Sequence, residues 1–181
     1  MKKPTPEELA ALQAQDDLAH MQAAIELARG AALAGEVPVG ALVVGPQGDV
    51  LGRGYNRTRL DVDPSAHAEI VALREAAWRV GNHRLGGCVL YVTLEPCAMC
   101  AGAIIQARLA AVVYGADDPK AGALRSVLQL AAHPQLNHRF AVRAGVAGAA
   151  CATLLREFFQ QRRSPDRAAP LADLESPEAG E

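Results

Sequence analysis

The sequence predicts an α/β fold with helices on both faces of one mixed sheet. Three observations predict it. Between residues 50 and 114 the pattern runs strand, helix, strand, helix, strand, an alternation that implies parallel strands joined by crossover helices. Half of the residues are hydrophobic but only 4% are aromatic, so the core is built from small aliphatic side chains on helices and a covered sheet. At 181 residues the chain is the size of a single domain and can bury a substantial core.

The elements follow in order. Residues 1–15 carry no firm pattern and are expected to be frayed. Asp16 or Asp17 can cap a helix whose apolar positions Leu18, Met21, Ile25, Ala28 and Ala32 step by three and four, with Gly35 as its stop. Residues 37–44 and 50–54 read as two strands of a hairpin, turned by Gly45, Pro46, Gly48 and Asp49. A polar loop over 55–66 delivers the chain to His67. Ile70, Leu73, Ala77 and Val80 then form one face of a helix that ends near Gly81. A strand over 88–94 follows, then a helix over 97–108 opening after Pro96, and a strand over 109–114. Residues 115–122 are too rich in turn formers for regular structure. A short helix is expected near 124–131, a strand near 140–146, and a last helix over 149–163 with Leu154, Leu155, Phe158 and Phe159 inward. Residues 164–181, rich in Pro, Ala and acids, are expected to be a disordered acidic tail.

Composition excludes some function classes. No apolar run approaches the roughly 18 residues of a membrane span, and the N-terminal lysines are followed by Pro4, Pro6, Glu7 and Glu8 rather than an apolar signal core. A soluble, reducing, cytoplasmic setting is therefore expected. The net charge of −2 is unevenly spread: residues 1–17 hold 2 basic and 4 acidic side chains and residues 164–181 hold 1 and 5, leaving 15 basic against 11 acidic between them. A modestly basic body with acidic ends is compatible with a local phosphate-binding face.

The chemistry concentrates in two short stretches. Cys97 and Cys100, separated by two residues at the start of a helix, can offer both sulfurs to one metal ion, and His67 supplies a third ligand from a separate segment. Three protein ligands leave a fourth tetrahedral position for water, which marks a catalytic zinc rather than a structural one. Glu69, two residues beyond His67, is then the proton carrier for hydrolytic deamination by zinc-activated water. H-x-E paired with P-C-x-x-C is a known signature of zinc nucleobase deaminases. Taken alone, Cys97 and Cys100 are weak evidence, because a redox pair or half of a structural site has the same spacing. Cys88 and Cys151 fit the apolar faces of a strand and a helix, where buried thiols are ordinary. Glu95, the nearest rival carboxylate, reads as help in starting the following helix, and His83, His133 and His138 as loop residues.

With these residues in place, the chain from Leu18 to about Arg163 resembles the bacterial tRNA-specific adenosine deaminases of the cytidine-deaminase-like superfamily. The zinc motifs are common to the superfamily. The narrower resemblance rests on Glu36 to Ala41, Asn56 and Arg57, Asp63 to Ile70, Leu90 to Ile104, Gly115 and Ala116 with Asp118 and Lys120, Asn137 to Arg139, and Phe158 and Phe159 followed by Arg162 and Arg163. Arg125 departs from it, standing where family members often have glycine. The resemblance implies a three-layer α/β/α sandwich around a central mixed five-stranded sheet, with residues 16–163 as the zinc-dependent deaminase domain. It also implies a homodimer that converts wobble adenosine in a tRNA anticodon, in the first instance an arginine tRNA, to inosine. By the same resemblance His67, Cys97 and Cys100 hold one zinc (Zn2+) per chain and Glu69 shuttles the proton. Asn56 hydrogen-bonds the flipped base, Val39 and Leu94 line its pocket, Lys120 and Asn137 contact the anticodon loop, and Arg162 and Arg163 form a phosphate-facing helix end. Two other readings share part of the pattern. A free-base deaminase acting on guanine or cytosine uses the same zinc chemistry, and a catalytically silent RNA- or zinc-binding module would need the ligands but not Glu69.

Overall fold

The computed structural model describes residues 6–163, so the expected acidic tail and residues 1–5 lie outside the described residues. The chain folds as α1 (Pro6–Leu33), β1 (Gly40–Val44), β2 (Val50–Tyr55), α2 (Ala68–Val80), β3 (Val89–Leu94), α3 (Ala98–Ala107), β4 (Ala111–Ala116), a 3-10 turn (Leu130–Ala132), β5 (Ala141–Ala144) and α4 (Gly148–Arg163). The five strands form one sheet in the order β2-β1-β3-β4-β5. β1 is antiparallel to both β2 and β3, while β3, β4 and β5 are parallel. The expected mixed five-stranded sheet between two helical layers is therefore the observed one.

Alternation along the strands assigns each helix to a face. Ala41 and Val43 of β1, Leu90 and Val92 of β3, and Val112 and Tyr114 of β4 pack with Ala72 and Ala76 of α2 and Ala101 and Ile104 of α3. Leu42, Val44, Tyr91 and Val113 point the other way, toward Met21, Ala24 and Ile25 of α1 and Cys151 of α4. Both faces are covered, so β1 and β4 are buried along their whole length. No helix among the described residues is long and apolar enough to cross a membrane.

Three expectations need correction. The first helix begins at Pro6, not at Asp16 or Asp17; proline suits a first helical position. Its buried stripe runs through Asp17, Met21, Ala24, Ile25, Ala28 and Ala31, and Leu18 is exposed. Asp17 tolerates burial because Tyr91 donates to it at 2.8 Å and Arg143 makes a two-pronged ion pair at 2.7 and 2.9 Å, which satisfies the charge. Second, Phe159 is exposed while Phe158 is buried, so only one of the paired aromatics faces the core. Third, the short helix expected near 124–131 is a series of turns followed by the 3-10 turn at Leu130–Ala132. The backbone N–H groups of Leu124, Arg125 and Ser126 all donate to the Glu95 carboxylate, and donors pointed at one side chain do not propagate a helix.

Helix and sheet approach to backbone contact under α1, where a Cβ at Gly40 would overlap the Ala24 carbonyl oxygen, and under α2. A Cβ placed at Gly52 would overlap the Ala72 carbonyl oxygen, and one at Gly54 the Ala68 carbonyl oxygen. Gly54→Ala should therefore lift the first turn of α2 from the sheet and lower stability by about 1–3 kcal/mol. Urea unfolding of this variant checks that expectation, with an unchanged midpoint counting against it.

Candidate active site

Two helix N-termini meet at the ends of β2 and β3. β3 runs through Glu95 and Pro96 into Cys97, the N-cap of α3 with φ −73° and ψ 174°, and the loop after β2 ends at His67, the N-cap of α2 with φ −72° and ψ 154°. Neither side chain caps its own helix, which leaves the imidazole and the thiol available to a ligand. Cys100, one turn into α3, is fully buried. The ligand atoms of His67, Cys97 and Cys100 all lie within 4.8 Å of one another.

The distances carry more information than the proximity. A tetrahedral zinc with bonds of about 2.3 Å to sulfur and about 2.0–2.1 Å to nitrogen sets its S···N edges at about 3.6 Å. His67 Nδ1 lies 3.7 Å from Cys97 Sγ and 3.5 Å from Cys100 Sγ. The donor set and its spacing thus fit a single zinc ion, and soft thiolates with imidazole select zinc over calcium or magnesium.

The electrostatics agree. The Cys97 thiol is pushed down to about 3 by its hydrogen bonds with Cys100 and then His67, against the opposing effect of burial. Cys100 is pushed up by its hydrogen bond to Cys97 and by burial, and His67 is raised, chiefly by Cys97. One sulfur is anionic and the other holds its proton until a cation displaces it. Two helix N-termini add favourable dipole to the negative charge.

Glu69 occupies the second position of α2, is buried, and lies outside the set of ligand atoms. Burial raises the pKa of its carboxyl, while the charge of His67 lowers it. A carboxyl held nearer to protonation beside the cluster is suited to take a proton and release it again.

Asn56 is placed by the same architecture. Its Oδ1 accepts the Ala68 N–H at 2.9 Å, and its own backbone N–H donates to the Val39 carbonyl at 3.1 Å. Asn56 therefore caps α2 in place of His67. Val39 is buried and Leu94 half-buried at the end of β3, and both pack in the core on that face of the sheet. The loop between Asn56 and His67 is braced by the Arg57–Asp61 pair at 2.8 and 2.9 Å and by the Asp63 carboxylate, which accepts from Ser65.

The other expected contacts are exposed and dispersed. Lys120 lies in the turn-rich loop that pairs with Cys97 through Gly122. Arg162 donates to the Gly35 carbonyl at 2.6 Å and lies over the Phe158 ring at 5.0 Å; Arg59 donates to the same carbonyl at 3.2 Å. Arg163 turns back to the Phe159 carbonyl. These guanidinium groups share the end of the sheet that carries the cluster, because β1 starts there and Gly40 donates to Thr93. Asn137 does not. It precedes His138, whose ring bonds the Leu109 carbonyl at the start of β4, and β4 pairs with β3 so that Ala111, not Ala116, lies at that far end.

Two buried carboxylates at this end hold loops in ways the sequence did not reveal. Glu36 accepts from Thr58 Oγ1 and from the N–H groups of Arg59 and Leu60. Glu95 accepts from the N–H groups of Asp118, Leu124, Arg125 and Ser126 and from the Ser126 hydroxyl. Its expected part in starting the next helix is replaced by this role. The available signal was an acid next to a strand end with no charged neighbour to pair with.

A paired-helix cluster of this kind on a five-stranded mixed sheet defines a deaminase, and residues 15–163 match the MafB19-like deaminase family. The chain is 44% identical over 154 residues to the tRNA-specific adenosine deaminase of Haemophilus influenzae, covering 85% of this chain and 89% of that protein. Among solved structures, it superposes with a TM-score of 0.73 and 45% identity on one from a study of A-to-I editing by wobble-position tRNA deaminases, over 75% of this chain and 98% of that one. Guanine deaminase from Nitrosomonas europaea shares the fold at a TM-score of 0.65 and 28% identity, over 78% of this chain and 83% of that one. The chain belongs to the tRNA-specific adenosine deaminase family.

Proposed function

We propose that this protein hydrolyses adenosine to inosine at the wobble position of a tRNA anticodon. The observation that carries the reading is the His67–Cys97–Cys100 spacing, which matches the edges of a zinc tetrahedron, beside a buried carboxyl that is not a ligand. His67, Cys97 and Cys100 would hold one zinc per chain, and the ion would supply Lewis-acid activation of water at neutral pH. Glu69 takes a proton from the attacking water and passes it to the departing amine. Carbon 6 of the purine gains oxygen as its amino group leaves as ammonia. Asn56, with Val39 and Leu94 beneath it, holds the base in register.

The RNA side of the reading is electrostatic. Lys120 and the Arg59, Arg162 and Arg163 rim at the cluster end of the sheet are placed to meet phosphates around a flipped base. Arg162 retains a structural tie to Gly35 while doing so. Asn137, at the far end, serves nucleotides away from the reacting base. An anticodon loop is already unpaired, so extruding one base from it costs less than opening a duplex. The homodimer and the arginine tRNA complete this reading, and exposed Met99, Val127 and Leu128 offer apolar area to a second copy near the site.

The deciding experiment supplies an arginine-tRNA anticodon stem-loop with wobble adenosine, alongside free guanine, cytosine, cytidine and adenosine. Inosine should form at that one RNA position with negligible turnover of the small molecules. Ammonia released from guanine or cytosine over an untouched stem-loop would transfer the assignment to free-base deamination.

A further inference from the structure

Glu95 stands between two parts of the molecule that the reaction uses separately. On its C-terminal side, Pro96 leads directly to the ligand Cys97. Its side chain, buried to 2% exposure, instead gathers the loop that follows β4. Oε2 accepts the Asp118 N–H at 3.2 Å, and Oε1 accepts those of Leu124, Arg125 and Ser126 at 3.1, 2.7 and 2.9 Å. The Ser126 hydroxyl closes the set on Oε2.

Several neighbours fix the same arrangement. Ala123 donates to the Pro96 carbonyl at 2.8 Å, and Gly122 pairs with Cys97. A Cβ at Gly122 would collide with the Glu95 carboxylate, so the loop wraps the acid as closely as a backbone can. Arg125 fits without strain: it is absent from the residues with positive φ among those described, and the Arg125 side chain is exposed, as is Lys120. The loop is thus a shell of backbone donors around one anion, with two cations on its outer surface.

We infer that Glu95 is a positioning residue for RNA: its buried carboxylate folds residues 118–126 and thereby sets Lys120 and Arg125 against the substrate backbone, at a fixed offset from Cys97. The inference rests on the proposed deamination of tRNA. It assigns Glu95 no contact with the reacting atoms and no ligand role. An isosteric amide cannot replace it, because glutamine keeps one acceptor oxygen and turns an N–H2 group toward N–H donors. The loop then loses its centre while the zinc ligands keep their helices.

The test is Glu95→Gln in the full chain, measured on the anticodon stem-loop with KM and kcat separated. KM should rise about tenfold or more, the size expected when buried N–H groups lose their acceptor, with kcat within about threefold and zinc content unchanged. Amide exchange at Leu124, Arg125 and Ser126 should accelerate. In a Lys120→Ala/Arg125→Ala background the same substitution should raise KM far less, since the two act through one contact. Ser126→Ala, which keeps the carboxylate and removes one donor, gives a milder change in the same direction if the glutamine variant fails to fold. An unchanged KM in a variant with accelerated exchange overturns the inference, as does a collapse of kcat with loss of zinc, which would make Glu95 a support for Cys97. Failure of the unmutated protein to deaminate the stem-loop would instead refute the assigned reaction.

Discussion

Glu69→Gln should leave zinc bound and the fold intact while turnover falls by a factor on the order of 10² to 10⁴ or more. The substitution preserves shape and burial but removes a buried carboxyl that, unlike Glu36 and Glu95, is not engaged by the backbone donors of a loop. No alternative proton path of similar reach is evident among the described residues. Metal content and single-turnover rate on the stem-loop should therefore separate. A variant that loses its zinc would place Glu69 among the ligands, and one that keeps near-normal turnover would remove it from the mechanism.

Cys100→Ser should abolish both zinc binding and activity, and should also lower thermal stability. Cys100 is buried among apolar residues of α3, and the ion it helps to hold would bridge two helix N-termini whose own cap residues make no capping hydrogen bond. Binding free energy for such an ion is also folding free energy. Removing zinc from the unmutated protein with a chelator should reproduce the loss of stability, and restoring it should release protons, because the Cys100 thiol holds its proton in the metal-free cluster. The pH dependence has a definite sign: Cys97 is anionic above about 3, so zinc affinity near neutrality should rise with pH as Cys100 and His67 give up their protons. Equal stability with and without metal, measured by thermal melting, would contradict this account.

The site was legible in sequence because its information is local. His67 and Glu69 are two residues apart, Cys97 and Cys100 three apart, and Pro96 marks where strand becomes helix; short spacings of this kind survive without knowledge of the fold. Hairpin, crossover helices and buried strands were legible for the same reason. Residues whose role depends on distant partners were not. Asp17 looked like a helix cap because its true partners, Tyr91 and Arg143, lie 74 and 126 positions away. Glu36 looked like an ordinary acid and Glu95 like a helix starter, since backbone donors leave no signature in side-chain patterns. The turns at 124–126 resembled a helix start because nothing in their own sequence shows that Glu95 draws their N–H groups inward. Asn137 was placed by resemblance to a family motif, and only the strand register shows how far it stands from Cys97.

With Asn56 meeting the base as proposed, the cap it provides to α2 has a consequence for which bases can be admitted. Its oxygen accepts the Ala68 N–H, which holds the amide nitrogen on the side turned away from that helix end. A rotated amide would set two donors against each other, so the side chain cannot flip to suit a different ligand. The helix backbone thereby fixes which way this amide faces: its oxygen stays on the Ala68 N–H and its NH2 group is the end left to donate. A base edge that brings a lone pair to that point is matched, whereas one that brings an N–H meets repulsion and an unpaired amide.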